Sequence, residues 1–417
     1  MNSLKTGCIL GSVAFCLMLS QCQTRDSSTR KYLTVGQNCT YSDKRAASPT
    51  PPAGLEKSKV PQFVVIGFDD NGFSGVEGSK TRGGLRFVLD LAKSLKNPLG
   101  KGNAKTYDNA PVHFSFYVAG NYLGWPQGDS PVFIAKALHE AFMTGHEIGN
   151  HTYSHEHGTK FTVNHWEAEI DECTRRLVKP FNPDNDPENP DIRNGIGISS
   201  SQIFGFRTPY LEYSDSTLTA MTNLGFFYDC TIEEGWQDNQ DGTNFLWPYT
   251  LDSGSPGNVK TTQDTVSPLV TGHKGLWEMP CYAVIIPPDD KCKEYGVAPG
   301  LRNKLAKVHN YFKAADGKIT GLDWNLWVDF QMSKAEFLAS LKYSFDLRLA
   351  GNNCPFLLGA HSDIYSDTYP DTIANATPKE RRAALGEFLN YALSKPNVRV
   401  ASMKEVLDWL RNPVALE

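Results

Sequence analysis

The chain has 417 residues, with 41 lysines and arginines against 46 aspartates and glutamates, a net charge of −5. At 40% hydrophobic and 21% charged it can bury a sizeable core, which excludes collagen-like, coiled-coil and disordered chains. The slight acidity argues against a nucleic-acid partner, which requires a basic face, and past the first 21 residues no apolar run reaches the roughly 20 residues of a membrane-spanning helix.

Residues 1–21 carry one positive charge, Lys5, then an apolar stretch over 8–19 that is short for a membrane span, the pattern of an export signal. Leu19-Ser20-Gln21-Cys22 resembles a bacterial lipobox, which implies a lipid on Cys22; ordinary cleavage nearby is the alternative. With Cys8 and Cys16 removed and Cys22 lipidated, six cysteines remain (Cys39, Cys173, Cys230, Cys281, Cys292, Cys354). An even number in an exported chain suggests disulfides, with Cys281–Cys292 across a short Pro-rich loop the only pairing open to a guess. Residues 22–59, rich in Ser, Thr, Pro and Lys, read as a tether, and the formal glycosylation sequons at Asn38 and Asn375 suit an exported or secreted chain.

From residue 60 short β-rich runs alternate with helical patterns, the α/β signature. Strands are expected over 62–68, 112–118, 147–150, 203–206, 226–229, 276–279, 355–359 and 398–401. Helices are expected over 83–95, 131–144, 163–179, 215–224, 334–350, 379–393 and 403–410. Residues 180–200 and 236–274 break the rhythm as long loops of the kind that wall a site.

The chemistry-bearing residues fall at the C-terminal ends of these strands, where the loops of an α/β barrel converge. The first strand ends in Asp69-Asp70, adjacent carboxylates pointing apart, which an Asx turn would also explain. His151 and His155 are four apart, so one helical turn would bring both imidazoles to one face; with a carboxylate they make an open three-ligand site for a zinc-like cation. Arg207 precedes Thr-Pro-Tyr210, and beside a carboxylate it would keep that group ionised and oriented. Asp229 ends another strand, and His361 follows the buried run Leu357-Leu358-Gly359-Ala360.

Taken in order, FDD, HxxxH, RxPY, YDxT and LLxxH resemble the polysaccharide deacetylase family (NodB-homology, carbohydrate esterase family four), closest to its chitin deacetylase-like members. The resemblance spans about residues 60–413, read as the catalytic domain, and implies a distorted (β/α) barrel with long rim loops that hydrolyses N-acetyl groups of an amino-sugar polymer and releases acetate. It implies that Asp70, His151 and His155 hold a divalent metal, first of all zinc, with cobalt or another first-row ion as alternatives. Asp69 then takes a proton from water activated by the ion, Arg207 positions Asp69, and the Tyr210 N–H stabilises the oxyanion. His361 protonates the departing amine, with Asp229 as its candidate carboxylate partner. Gly67 stands where the family usually has Thr, Ser362 where many members have Asp, and the family's Asp-Trp dipeptide near strand five is not evident there.

Tyr210, Tyr228, Trp236, Trp247, Trp324 and Trp327 are candidate platforms for sugar rings, and Leu357 or Leu358 the wall for the acetyl methyl. The partner implied is an N-acetylated polysaccharide, chitin-like or of the cell envelope, with contact to a membrane only through a lipid on Cys22. The alternatives are an O-acetyl esterase on the same metal site and a non-catalytic glycan-binding member of the fold.

Overall fold

The computed structural model describes residues 32–36, 41–124, 128–256, 270–369 and 373–417. The leader, Cys22, Asn38 and Cys39 lie outside the described residues. The strands are β1 Gln62–Asp69, β2 Ser115–Val118, β3 Glu147–Asn150, β4 Gly205–Phe206, β5 Tyr228–Asp229, β6 Glu233–Glu234, β7 Tyr249–Thr250, β8 Trp277–Glu278, β9 Cys281–Ile285, β10 Lys318–Thr320, β11 Phe356–His361 and β12 Val398–Val400. The helices are α1 Gly84–Ser94, α2 Pro131–Met143, α3 Val163–Leu177, α4 Asp215–Leu224, α5 Asp289–Cys292, α6 Leu301–Val308, α7 Lys334–Ala350, α8 Pro378–Leu393 and α9 Met403–Arg411. All eight expected strands and seven expected helices are there.

The main sheet runs β11-β1-β2-β3-β4-β5-β8-β7, with β12 beside the first half of β1. Its pairs are parallel except β7 with β8. The chain leaves β8 almost directly into β9, the middle strand of a second sheet, β10-β9-β6. Just past β10, the Gly359 N–H of β11 donates to the Gly321 carbonyl at 2.8 Å and Leu322 bridges Gly359. The expected distorted barrel is therefore a curled parallel sheet whose circuit is completed by this smaller sheet.

Side-chain alternation along β1 sorts the core into two layers. Val64, Ile66 and Phe68 join the cluster shared with the surrounding helices. Phe63 and Val65 face inward, with Tyr117, Tyr228, Trp247, Leu357 and the apolar face of α9. Burial on both faces is why β1 reads as a nearly continuous apolar run. Four of the described helices start on reciprocal capping boxes, Ser214/Thr217, Ser333/Glu336, Thr377/Glu380 and Ser402/Glu405, each satisfying two amides that the first turn leaves unpaired.

Two expectations are corrected here. Of the stretch read as a tether, residues 32–36 and 41–59 belong to the same compact unit as the rest. The Tyr41 hydroxyl donates to the Phe226 carbonyl at 2.9 Å, the Trp277 indole donates to Asp43 at 2.9 Å, and Ser48 bridges Trp247. The disulfide framework also fails among the described residues. Cys173, Cys230, Cys281, Cys292 and Cys354 are free and buried. Cys281 opens β9 and Cys292 closes α5, so a five-residue strand of about 16 Å carries the chain away between them, against the 4.4–6.8 Å between Cα atoms that a disulfide spans.

Candidate active site

Asp69 is the last residue of β1 and His361 the last of β11, and the two are register partners on neighbouring parallel strands. Their side chains share the inward face, two positions above Gly67 and Gly359, which are also partners. A β-carbon on Gly67 would meet the Tyr117 ring at 2.9 Å and the Arg207 guanidinium at 3.3 Å; one on Gly359 would meet Arg207 at 3.3 Å. The space left by these two missing side chains is where the Arg207 guanidinium lies. Leaving the end of β4, Arg207 sits over the Tyr117 ring at 4.7 Å, donates through Nε to the Cys230 carbonyl at 3.0 Å, and donates to Asp69 Oδ1 at 2.8 Å. The expected pairing of Arg207 with Asp69 forms, between groups that are both nearly inaccessible.

Asp70, one residue further, turns away in the left-handed region, with φ of 66°. Its Oδ1 stands 3.1 Å from His155 Nε2 and 3.6 Å from His151 Nε2, and one ligand atom from each of the three residues lies within 4.8 Å of the others. His151 Nδ1 faces the Arg207 carbonyl at 2.8 Å, so this nitrogen must carry the proton. Burial pulls the His151 pKa down to about 4, which keeps the ring neutral and leaves the Nε2 lone pair turned toward Asp70. Asp70 Oδ1 is shut off from solvent and accepts no hydrogen bond. Burial alone would raise the Asp70 pKa, but His155, His361 and His151 outweigh it and hold the carboxyl below its ordinary range. Lone pairs converging on an unpartnered carboxylate oxygen form a donor set that fits a divalent cation.

The histidine pair does not use a helical turn. Residues 151–155 form a loop in which Thr152 and His155 take φ of 66° and 57°, and the backbone strain brings the imidazoles together. Six of the 12 non-glycine residues with positive φ among the described residues lie at this rim: Asp70, Asn71, Thr152, His155, Tyr210 and Leu211. Such conformations are uncommon away from functional sites, and their clustering marks this one.

His361 has a partner that the sequence reading missed. Its Nδ1 is 2.8 Å from Asp323 Oδ1, and its main-chain N–H donates to Asp323 Oδ2 at 3.1 Å. Burial would lower the His361 pKa, but Asp323, with Asp70 and Asp69 adding, pushes it up to about 10. Asp323-Trp324 is an Asp-Trp dipeptide, placed just past β10 rather than near β5. Asp229, expected in this role, is fully buried and instead accepts the Thr231 hydroxyl at 2.6 Å beside Glu278, its register partner on β8. Burial pushes the Asp229 pKa up to about 6.

The aromatic candidates separate. Tyr210 is 55% exposed, edge-on to His155 and stacked on His157 at 3.8 Å. Tyr228 and Trp247 are fully buried in the inner core, where Tyr228 donates to Glu147 at 2.6 Å, so neither is a platform for a ligand. Trp236 is partly buried against the same core. Leu357 faces the interior and Leu358 the helices, so only Leu357 can line a cavity inside the barrel. Trp324 is 39% exposed beside Asp323, and the Tyr122 ring packs on Gly72 next to Asp70.

The chain is similar in part to known proteins. The polysaccharide deacetylase family model matches residues 104–187. Chitin deacetylase 8 of Bombyx mori is 23% identical over 385 residues, covering 91% of this chain and 78% of its own. Chitin deacetylase 1 of the same insect is 22% identical, covering 87% of this chain and 53% of its own. A solved Mycobacterium smegmatis protein described as a polysaccharide deacetylase superposes with a TM-score of 0.45 at 15% identity, covering 88% of this chain and 95% of that one.

Proposed function

Because the chain carries a polysaccharide deacetylase domain, we propose that it hydrolyses N-acetyl groups of an amino-sugar polymer with the aid of a divalent metal, releasing acetate. One observation carries the reading: the Asp70–His151–His155 cluster opens beside Asp69 and His361, which are register partners with separate supports, Arg207 and Asp323.

Asp70, His151 and His155 would hold the ion, zinc first among the candidates. When bound there, a divalent cation supplies positive charge that acidifies water and polarises an acyl oxygen. Asp69 accepts the proton that water loses as it attacks the amide carbon, and Arg207 fixes the oxygen of Asp69 that faces it. The Tyr210 N–H, which has no hydrogen-bond partner among the described residues, donates to the acyl oxygen as its charge grows. His361 holds the proton that the departing sugar amine needs, and Asp323 fixes the ring through Nδ1 so that Nε2 is the delivering atom. Tyr210 and Trp324 offer exposed ring faces to a pyranose, and Leu357 an apolar surface to the acetyl methyl.

The test is to incubate zinc- or cobalt-loaded protein with N-acetylglucosamine oligomers, peptidoglycan and O-acetylated xylan side by side, measuring acetate and product mass. Acetate from an N-acetylated polymer, with masses falling one acetyl at a time, is expected. Acetate from xylan alone would replace the reading with an O-acetyl esterase, and none from any polymer would return it to a glycan-binding role. Export, by the leader over 1–21 with or without a lipid on Cys22, belongs to the same proposal and is checked by mass spectrometry of the mature N-terminus.

A further inference from the structure

We propose that Asp363 is a positioning residue for the metal ligand Asp70, fastening the left-handed turn over residues 70–73 from which the Asp70 carboxyl reaches both imidazoles. The inference rests on the metal reading of the Asp70 cluster given above.

Asp70 and Asn71 are consecutive non-glycine residues with φ of 66° and 71°, a pair that persists only when its surroundings over-determine it. Three side chains do so. Asp363 accepts the Gly72 N–H through Oδ2 at 3.1 Å and the Phe73 N–H through Oδ1 at 3.0 Å. Asn71 donates to the Phe68 carbonyl at 2.9 Å and the Tyr117 carbonyl at 3.1 Å, bending the turn back onto β1 and β2. The Ser362 hydroxyl donates to Asn71 Oδ1 at 2.9 Å. Asn71, Ser362 and Asp363 are all buried, so water cannot take over these bonds, and the Tyr122 ring closes on Gly72 from the other side.

Two of the three clamps, Ser362 and Asp363, directly follow His361. The segment that ends β11 on the proton donor thus also sets the geometry of the metal ligand on β1. A carboxyl buried where its oxygens meet two amides of a ligand-bearing turn, and no lysine or arginine, is costly to keep. Holding Asp70 in place for the cation accounts for it: residues that orient a ligand typically change metal affinity by about 10–100-fold when removed.

The test measures Zn²⁺ affinity by competition with a chelating indicator, together with amide hydrogen exchange over residues 70–73, in the full chain. Asp363→Ala is expected to weaken Zn²⁺ by about 10-fold or more and to speed exchange at Gly72 and Phe73. Unfolding of its metal-free form should stay close to wild type. Wild-type affinity with wild-type exchange would overturn the proposal, and so would an affinity loss matched by global destabilisation without local exchange. Should Asp363→Ala fail to fold, Asp363→Asn, which keeps the volume and one acceptor oxygen, is read the same way with a smaller loss expected. If wild-type protein binds neither Zn²⁺ nor Co²⁺, the functional reading fails separately. Exchange at 72–73 then decides this inference: selective acceleration supports it and unchanged rates overturn it.

Discussion

The floor and the rim of the barrel differ in what fills them, chiefly apolar side chains at the floor and converging polar ones at the rim. The floor is closed by α9, whose Met403, Val406, Leu407, Trp409 and Leu410 enter the inner core, with the Trp409 ring edge-on to Phe63 at 5.2 Å. The first α9 amides are taken up by the barrel itself, Met403 N–H by Ser115 Oγ at 2.8 Å and Lys404 N–H by Glu147 at 2.9 Å. The floor has its own special backbone and buried charge: Tyr107, with φ of 57°, sets its ring edge-on to Phe63 and donates to the Glu405 carbonyl of α9 at 2.7 Å, and Arg399 pairs with Asp108 where both are nearly inaccessible. The rim holds left-handed turns, the nearly inaccessible Asp69–Arg207 pair, and the partly exposed His361 on the buried Asp323. Both ends thus carry buried charge, but only at the rim do such groups face one shared cluster, Asp70 with His151 and His155.

That division yields effects that should separate by end. The largest is at the rim: Asp69→Asn should lower kcat/KM by about 10³-fold while a full equivalent of metal is retained, since Asn keeps an acceptor for Arg207 and leaves the Asp70 cluster intact. Metal analysis beside the kinetics checks both halves, and wild-type turnover would remove Asp69 as the base. At the floor, Trp409→Ala should cost about 3–5 kcal/mol in urea unfolding with kcat per folded molecule unchanged. A drop in kcat instead would mean that the two ends are not separable.

Next in size is Asp323→Asn. With the carboxylate gone, the His361 pKa falls toward that of an ordinary imidazole, so the proton for the leaving amine is lost at lower pH. The alkaline limb of the pH–rate profile should move down from about pH 10 to about pH 7, which lowers the rate at pH 8 by about 10-fold, and a profile superimposable on wild type would contradict the pairing. The smallest effect concerns Asp229 and Glu278, between the two ends. Burial raises both pKa values, Asp229 to about 6, so the Asp229 contribution to stability is complete below about pH 4 and is lost as pH rises through about 6. Thermal denaturation should show a loss of about 2 kcal/mol across that window, and Glu278→Gln should flatten it.

Much of this was legible in the residues. The strands and helices announced themselves because apolar alternation and capping signals are local, and the cluster of Asp70, His151 and His155 because the order of several short motifs along the chain says more than any one of them. What escaped depended on contacts distant in sequence. Asp323 follows a three-residue strand, Lys318–Thr320, too short and polar to register as one, and it reaches His361 across 38 positions. Tyr228 and Trp247 looked like rim aromatics because composition does not say how deep a strand runs before it ends. The spacing of His151 and His155 suggested a helical turn, whereas two left-handed residues accomplish the same convergence in a loop.

The paired gaps at Gly67 and Gly359 carry a final implication. They let the Arg207 cation approach Asp69 from beneath the sheet, by a route that solvent and polymer do not share. A methyl group would first meet the Leu322 side chain from Gly359 and the Tyr117 ring at 2.9 Å from Gly67, with the guanidinium next at 3.3 Å in both cases, so either change crowds the packing that seats Arg207 against Asp69. Two residues with no chemistry of their own, one on β1 and one on β11, thereby govern how the guanidinium is seated.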